Sequence, residues 1–227
     1  MPNIVKITAP ITLLDLVAPH SCRGCGCIGL PLCDCCKNHI IKSHQNICPQ
    51  CKEQTKSGKC KNCKNLPLVY SLGRRYGVLD ELIHELKYNS ARSISIQLAD
   101  ILNQTLPEFK SPIIIVPLPT ISKHIRERGL DHTRLIAKKL AKKRSNFTLQ
   151  PLLLRANNTV QVGSDRKTRL AQAKSAYQID PKCNIDPNFT YLLFDDIWTT
   201  GASMKSATKK LQQAGAKNII LSVLAIS

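Results

Sequence analysis

Apolar and polar positions along the chain change their rhythm near residue 66. Beyond the junction at 64–70 (Lys-Asn-Leu-Pro-Leu-Val-Tyr), helix-period stretches alternate with continuous apolar runs. Leu79, Leu82, Ile83 and Leu86 recur at the three- and four-residue spacing of one helix face, which predicts a helix over 78–88. Ile94, Leu98, Ile101 and Leu102 do the same over 94–106. The run 113–118 is largely apolar, holds Pro117 and meets Pro119, as expected of a buried strand entering a loop. A helix with a basic outer face is expected over 133–143 and a strand over 150–154. A helix over 164–173 with Ser164 as its N-cap follows, then a second buried strand over 190–197. A helix over 202–214 closed by Gly215 and a last strand over 218–226 complete the pattern. Helices alternating with buried strands imply an α/β fold with a largely parallel sheet.

Residues 1–66 show neither period, and their chemistry lies in cysteine. Ten of the eleven cysteines fall between Cys22 and Cys63, eight of them in four Cys-x-x-Cys pairs: Cys22/Cys25, Cys33/Cys36, Cys48/Cys51 and Cys60/Cys63. One such turn presents two thiolates to a cation, and two turns complete a tetrahedral four-cysteine site. Sequential pairing is geometrically easiest, giving one zinc on Cys22, Cys25, Cys33 and Cys36 and another on Cys48, Cys51, Cys60 and Cys63. Interleaved pairing and a single occupied site remain open, and Cys27 or Cys35 can replace a neighbour in the first quartet. Redox chemistry is the competing reading, but it would call for a strand–helix context that this loop-rich segment lacks. So short and polar a segment cannot bury a sufficient core, so structural zinc, one ion or two, is expected to supply its folding free energy. The expected division is therefore an N-terminal helix and cysteine-rich zinc module over 1–66, then an α/β domain over 67–227.

The opening residues, Met-Pro-Asn-Ile-Val-Lys-Ile-Thr-Ala-Pro, form neither a charged leader nor a clean apolar export core. No apolar stretch approaches eighteen residues, so no transmembrane helix is expected. A cytoplasmic location with reduced thiols follows. Net charge sharpens the expected partners: the chain carries +18, of which residues 1–66 hold nine Lys/Arg against three acids and residues 67–227 twenty-four against twelve. Such a field attracts polyanions, whether nucleic acid, nucleotides, pyrophosphate or an anionic membrane surface. Aromatic residues, at 4%, are too sparse for a base-stacking platform on single-stranded nucleic acid.

The most informative stretch is Tyr191-Leu-Leu-Phe-Asp195-Asp196-Ile-Trp198-Thr199-Thr200-Gly201-Ala202-Ser203. An apolar strand delivers two carboxylates to the carboxyl edge of the sheet, where open α/β folds bind ligands. A small-residue turn then opens a helix, so free backbone N–H groups and the positive end of the helix dipole face the same place. Thr199, Thr200 and Ser203 add hydroxyl donors, and Gly201 allows a phosphate close to the backbone. A ribose 5-phosphate fits this cradle, its phosphate in the loop and its 2- and 3-hydroxyls on Asp195 and Asp196. Trp198 is expected to pack or cover the loop rather than to read a substrate. Upstream, Lys123, Arg126 and Arg128 lie between Pro119 and Gly129 and can concentrate positive charge in one loop, which suits a departing pyrophosphate.

The stretch Tyr191–Ser203 closely resembles the signature of type I phosphoribosyltransferases. The resemblance implies that the acids hold the ribose of phosphoribosyl pyrophosphate and the loop holds its 5-phosphate. Over about residues 13–226 the order of motifs resembles the ComF family of natural competence: four cysteine knuckles, Leu86-Lys87-Tyr88, Val116-Pro-Leu-Pro119, Arg126 and Arg128-Gly129, Leu154-Arg155, Thr159-Val-Gln161, Arg166, Arg169 and the Asp195-Asp196 loop. The family commonly has Arg-Gly-Phe-Asn-Gln where this chain has Arg128-Gly129-Leu130-Asp131-His132, and Asp131 brings negative charge toward the basic turn. The resemblance implies a type I phosphoribosyltransferase-like sheet flanked by helices, with a small zinc-ribbon-like module before it. It further implies binding of phosphoribosyl pyrophosphate with magnesium, catalysis with Asp195 and Asp196 at its centre, and contact with DNA and other competence proteins. Two alternatives stand beside that enzyme: a DNA-binding factor that senses phosphoribosyl pyrophosphate without turnover, and a nucleotide-salvage or amidophosphoribosyltransferase-like enzyme. The last would lack a nucleophilic N-terminal cysteine, since the sequence begins Met-Pro.

Overall fold

Cysteine knuckles and short hairpins open the fold. The structure, a computed structural model, describes residues 20–55, 57, 59–63, 67–88, 91–156 and 176–227. The expected N-terminal helix, the helix over 164–173 and the motif residues Thr159, Gln161, Arg166 and Arg169 lie outside the described residues. Strand β1 (His20–Ser21) pairs antiparallel with β2 (Ile28–Gly29), and helix α1 (Asp34–Ser43) follows. β3 (Asn46–Ile47) then pairs antiparallel with β4 (Gln54–Thr55).

The α/β part begins with β5 (Val69–Arg74), helices α2 (Gly77–Tyr88) and α3 (Ala91–Thr105), and β6 (Ile113–Pro117). Helices α4 (Ser122–Arg128) and α5 (His132–Ala141) lead to β7 (Phe147–Leu149), and β8 (Leu153–Arg155) pairs with β9 (Tyr177–Ile179) as a separate antiparallel hairpin. β10 (Thr190–Trp198), α6 (Ala202–Gln213) and β11 (Asn218–Ile226) complete the chain. Five strands form one parallel sheet in the order β5-β11-β10-β6-β7. The expected mostly parallel sheet flanked by helices, with a small cysteine-rich element before it, is therefore what the chain adopts.

Three local expectations need correction. Val69–Arg74 is an edge strand of the sheet, although its first two residues read as a junction; Ser71 and Gly73 interrupt the apolar run that marks the central strands. The strand expected over 150–154 splits, because Pro151 has no N–H to give a ladder: β7 ends at Leu149 in the main sheet and β8 starts a new hairpin. The segment holding Lys123, Arg126 and Arg128 is a short helix closed by Gly129, not an open loop.

Two apolar layers cover the sheet. On one face, Leu192 and Phe194 of β10 pack with Leu82, Ile83 and Leu86 of α2, Leu98 and Ile101 of α3, and Ile136 and Leu140 of α5. On the other, Tyr191 and Leu193 pack with Met204, Ala207 and Leu211 of α6 and with the β8–β9 hairpin through Leu153 and Tyr177. Cys22 and Leu32, both from the cysteine-rich segment, join the first layer, and Ile47 joins the second. Arg23 donates to Glu85 of α2 at 2.8 Å, a further tie between the knuckles and the α/β part.

The connections from β6 and β10 depart in opposite senses. β6 leads through α5, on the first face, outward to β7; β10 leads through α6, on the second face, back to β11. Neighbouring strands whose connections part in this way leave a crevice at their carboxyl ends, where ligands of open α/β sheets bind. The topology thus directs attention to the ends of β6 and β10.

Candidate functional site

Chain topology brings the cysteines together in the sequential arrangement. The ligand sulfurs of Cys22, Cys25, Cys33 and Cys36 lie within 4.8 Å of one another, as do those of Cys48, Cys51, Cys60 and Cys63. Cys25 and Cys33 are 3.6 Å apart, and so are Cys51 and Cys60. Four Zn–S bonds of about 2.3 Å would give tetrahedral S···S edges of about 3.8 Å, so both quartets fit a zinc ion. The two knuckles share a backbone device. In the first, the Gly26 N–H returns to the Cys22 carbonyl at 2.8 Å with φ +76°; in the second, the Lys52 N–H returns to the Cys48 carbonyl at 2.9 Å with φ +62°. The left-handed conformation after the second cysteine turns both sulfurs to one side, and at position 52 a lysine accepts that strain.

Amides support the thiolates. The N–H groups of Gly24 and Cys33 donate to Cys22 Sγ at 3.4 and 3.3 Å, fixing a sulfur that the core also buries. Without a cation the thiols oppose one another: hydrogen bonds from Cys27 and Cys33 draw Cys25 down to about 6, while burial and the neighbouring thiols push Cys63 up to about 12. A divalent cation resolves this conflict by holding all four as thiolates. Cys27 lies 2.8 Å from Cys25 but outside the quartet, and Cys35 is exposed on α1.

At the switch point, the register of β10 against β11 runs from Thr190↔Asn218 to Trp198↔Ile226. Leu193 packs on the α6 face and Phe194 on the α2/α5 face, so strand alternation assigns Asp195 to the α6 side and Asp196 to the α2/α5 side. Each carboxylate also folds back on the next amide: Asp195 Oδ1 accepts from Asp196 N at 2.9 Å, and Asp196 Oδ1 accepts from Ile197 N at 2.7 Å. The two acids are therefore at the carboxyl edge, as expected, but they straddle it instead of standing side by side.

Two residues without an assigned role in the sequence reading complete the group. Lys87, near the end of α2, places Nζ 2.9 Å from Asp196 Oδ2; His132, the first residue of α5, places Nε2 3.3 Å from the same oxygen. All three side chains are largely enclosed, with exposures of 20% for Lys87, 4% for His132 and 15% for Asp196. Burial by itself would raise the Asp196 carboxyl, but the His132 hydrogen bond and the Lys87 charge outweigh it and hold the group below the usual carboxylate range. For Asp195 the balance is reversed: burial, then the negative charge of Asp196, outweighs the Asp196 amide and the Lys87 charge and pushes it well above that range. One strand end thus carries two acids shifted in opposite directions.

The loop after the acids is shaped around Trp198. The indole is buried beneath Gly201, whose φ of +75° makes the turn into α6. Trp198 packs, as its position suggested. Thr199, Thr200, Ala202 and Ser203 are exposed, and Thr200 Oγ1 accepts from Ala202 N at 3.3 Å. No acidic residue occupies the first turn of α6, so the positive end of its dipole meets no carboxylate within that turn.

The basic segment is arranged differently from an anion-gripping loop. Lys123 and Arg126 are exposed on α4, Lys123 pairing with Glu127 at 3.8 Å, and helical geometry turns Arg128 about 140° away from Lys123. Asp131 caps α5 by accepting from Arg134 N at 3.1 Å and also accepts from Thr120 Oγ1 at 3.0 Å. Its charge is spent on the helix end. Arg155 is tied to the Pro119 carbonyl at 3.1 Å and stacks over Tyr177.

No protein-family model matches the chain. Among characterised proteins it is similar to competence protein ComFC of Bacillus subtilis, 24% identical over 204 residues that cover 81% of this chain and 79% of that one. It is also 24% identical over 213 residues to competence protein F of Haemophilus influenzae, covering 82% and 93%, and 23% identical over 199 residues to ComFC of Streptococcus pneumoniae, covering 83% and 84%. Among solved structures, a hypoxanthine phosphoribosyltransferase from Staphylococcus aureus is 16% identical with a TM-score of 0.29, covering 64% of this chain and 62% of that enzyme. At that score the likeness decides nothing about activity. Three relatives of one kind, each aligned along some four-fifths of the chain, agree with the order of its knuckles and acidic loop: the chain is similar along most of its length to the competence proteins ComFC and F.

Proposed function

We propose that the chain binds phosphoribosyl pyrophosphate at the carboxyl edge of β10 and transfers its phosphoribosyl group, in a process associated with natural competence. One observation carries this reading: an acidic strand end and an acid-free helix N-terminus, joined by the exposed Thr199–Ser203 turn, at the switch point between β6 and β10. Carboxylates repel phosphate but accept from a vicinal diol; the start of α6 does the reverse. Ribose 5-phosphate has both kinds of group at its two ends.

Transfer would form a bond from an acceptor nucleophile to the anomeric carbon as the bond to pyrophosphate breaks, the pyrophosphate leaving with the magnesium that accompanies it. Lys123 and Arg126, on the solvent face of α4 beside this edge, are the cations we assign to it, with Arg128 in a supporting place on another side of the helix. The +18 charge adds attraction for DNA.

Calorimetric titration with magnesium phosphoribosyl pyrophosphate tests the reading. Charge-assisted hydrogen bonds contribute about 1.5–3 kcal/mol each, so Asp195→Ala with Asp196→Ala should weaken binding by about two to four orders of magnitude. Equal affinity in the two proteins, both folded, would remove the acids from the site and the enzymatic reading with them.

A further inference from the structure

Asp196 accepts from Ile197 N through Oδ1 and meets Lys87 and His132 through Oδ2. A carboxylate offers about four acceptor sites. Three are occupied, which leaves room for a hydroxyl. We infer that Lys87 and His132 are positioning residues for sugar recognition: from two helices they clamp the Asp196 carboxylate as an aimed anion at the carboxyl edge. The inference rests on the reading of that edge as a ribose site.

Three elements that are separate in sequence converge on one oxygen. α2 reaches it from its C-terminal end, α5 from its first residue and β10 from its final turn of the ladder. Stability alone does not account for such a group, because apolar residues of similar volume in place of a whole enclosed ion pair are often as stabilising. Their effect is on the carboxylate itself. Apart from Asp195 on the same strand, Lys87 and His132 are the charged or titratable groups with the largest effect on Asp196; the flanking strands, Ile113–Pro117 and Asn218–Ile226, carry no titratable side chain. Burial is the largest single influence on Asp196 and acts to raise it, so removing the two clamps leaves it opposed chiefly by the Ile197 amide. The acid would then shift upward, as Asp195 does, and once protonated it would lose one acceptor site for the sugar.

The test compares pH profiles instead of single affinities. Magnesium phosphoribosyl pyrophosphate is titrated calorimetrically into the full chain at pH 8 and pH 6, for the wild type, Lys87→Met with His132→Gln, and Lys87→Arg. The wild type records how the ligand's own phosphates respond to pH. The double variant should lose more affinity than the wild type between the two conditions, approaching about tenfold for each pH unit below the protonation it has gained. Lys87→Arg, which keeps the cation, should follow the wild-type profile. A double variant that is weakened equally at both pH values, or not at all, overturns the clamp and leaves the ribose site standing. A wild type that fails to bind at either pH overturns the ribose reading and the clamp together. If circular dichroism shows the double variant unfolded, His132→Gln alone is read by the same criterion, with a smaller extra loss expected at pH 6 and a parallel profile overturning the inference.

Discussion

Gly201 lies so close over the indole of Trp198 that a Cβ at this position would stand 2.3 Å from Trp198 Cζ2. The contact is unusual in being closed from both sides: the indole is buried in the layer that holds Met204 and Leu211, and the backbone at Gly201 has φ +75°. Gly201→Ala therefore meets a steric conflict with a ring that cannot move and a left-handed conformation that costs an alanine about 1–2 kcal/mol. We expect a loss of about 2–4 kcal/mol in denaturant unfolding, combining that strain with displacement of the ring. Binding of a ribose phosphate should be lost even where the protein stays folded. A variant with wild-type stability would mean that the loop relaxes freely, and the indole would no longer be what shapes it.

The acids, the small-residue turn and the following helix were legible in the sequence because they are contiguous, and strand, loop and helix each have a local signal. The cysteine quartets were legible for a similar reason, though only the structure selects sequential pairing over interleaving. Lys87 and His132 were not. Each lies on an element whose period speaks only of its buried face, and nothing local marks a lysine near a helix end as the partner of a carboxylate on a distant strand. Their positions follow from the strand order, which places α2 and α5 on the same face as Asp196. The strand Val69–Arg74 escaped because Ser71 and Gly73 break its apolar run. The N–H of the buried Ser71 instead donates to Asn46 Oδ1 at 3.0 Å, a contact that no reading of one segment can supply. The basic cluster misled in the opposite sense, since closeness in sequence suggested a shared direction that the turns of α4 undo.

Metal removal should affect more than the knuckles. Cys22 and Leu32 share a buried layer with Leu79, Leu82 and Ile83, and Arg23 bridges to Glu85. We propose two structural zinc ions per chain, bound by the two quartets. Emission spectrometry on purified protein should find about two per chain, and a strong chelator should lower the melting temperature of the whole chain rather than release an independent segment. Cys48→Ser should reduce the metal content by one. Full retention of the N-terminal fold after chelation would rule out zinc as its source of folding free energy.

The basic field should confer DNA binding that depends on salt. Arg134, Lys138 and Lys142 are exposed on or beside α5, a helix whose other face is buried. If phosphates are the contacts, the logarithm of affinity falls linearly with the logarithm of salt concentration, at a slope of about −0.9 for each phosphate neutralised on a duplex. Charge reversal of these three residues should flatten that slope. Binding that is missing at low salt, or unchanged by added salt, would leave the charge without a nucleic-acid partner.

Asp195 should be a residue that the fold would be more stable without. Burial, reinforced by the charge of Asp196, raises its carboxyl well above the ordinary range, and among the described residues it forms no ion pair. A group raised in the folded state supports folding fully below its unfolded value and loses that support as pH rises through the folded value. Between the two, the folded protein holds a proton that the unfolded chain has released, so the cost of keeping Asp195 grows with pH. Asn has nearly the same shape, does not ionise and retains an oxygen able to accept from Asp196 N, the 2.9 Å bond that Asp195 makes now. Asp195→Asn should therefore melt at a higher temperature than the wild type at pH 7–8, and the gain should vanish toward pH 4, where both chains are neutral at this position. In a domain of this size each 1 kcal/mol appears as about 2–4 °C. Under the proposed reading the same substitution should weaken binding of magnesium phosphoribosyl pyrophosphate, because the acid proposed to accept from the ribose is gone. Asp196→Asn supplies the opposite sign: its carboxylate is held low by His132 and Lys87, so its contribution is present above the unfolded value and is lost as pH falls, and replacing it should destabilise the protein at neutral pH. Melting curves of the two variants across pH 4–8 would separate these behaviours, and curves that parallel the wild type at every pH would show that neither acid is perturbed by its surroundings.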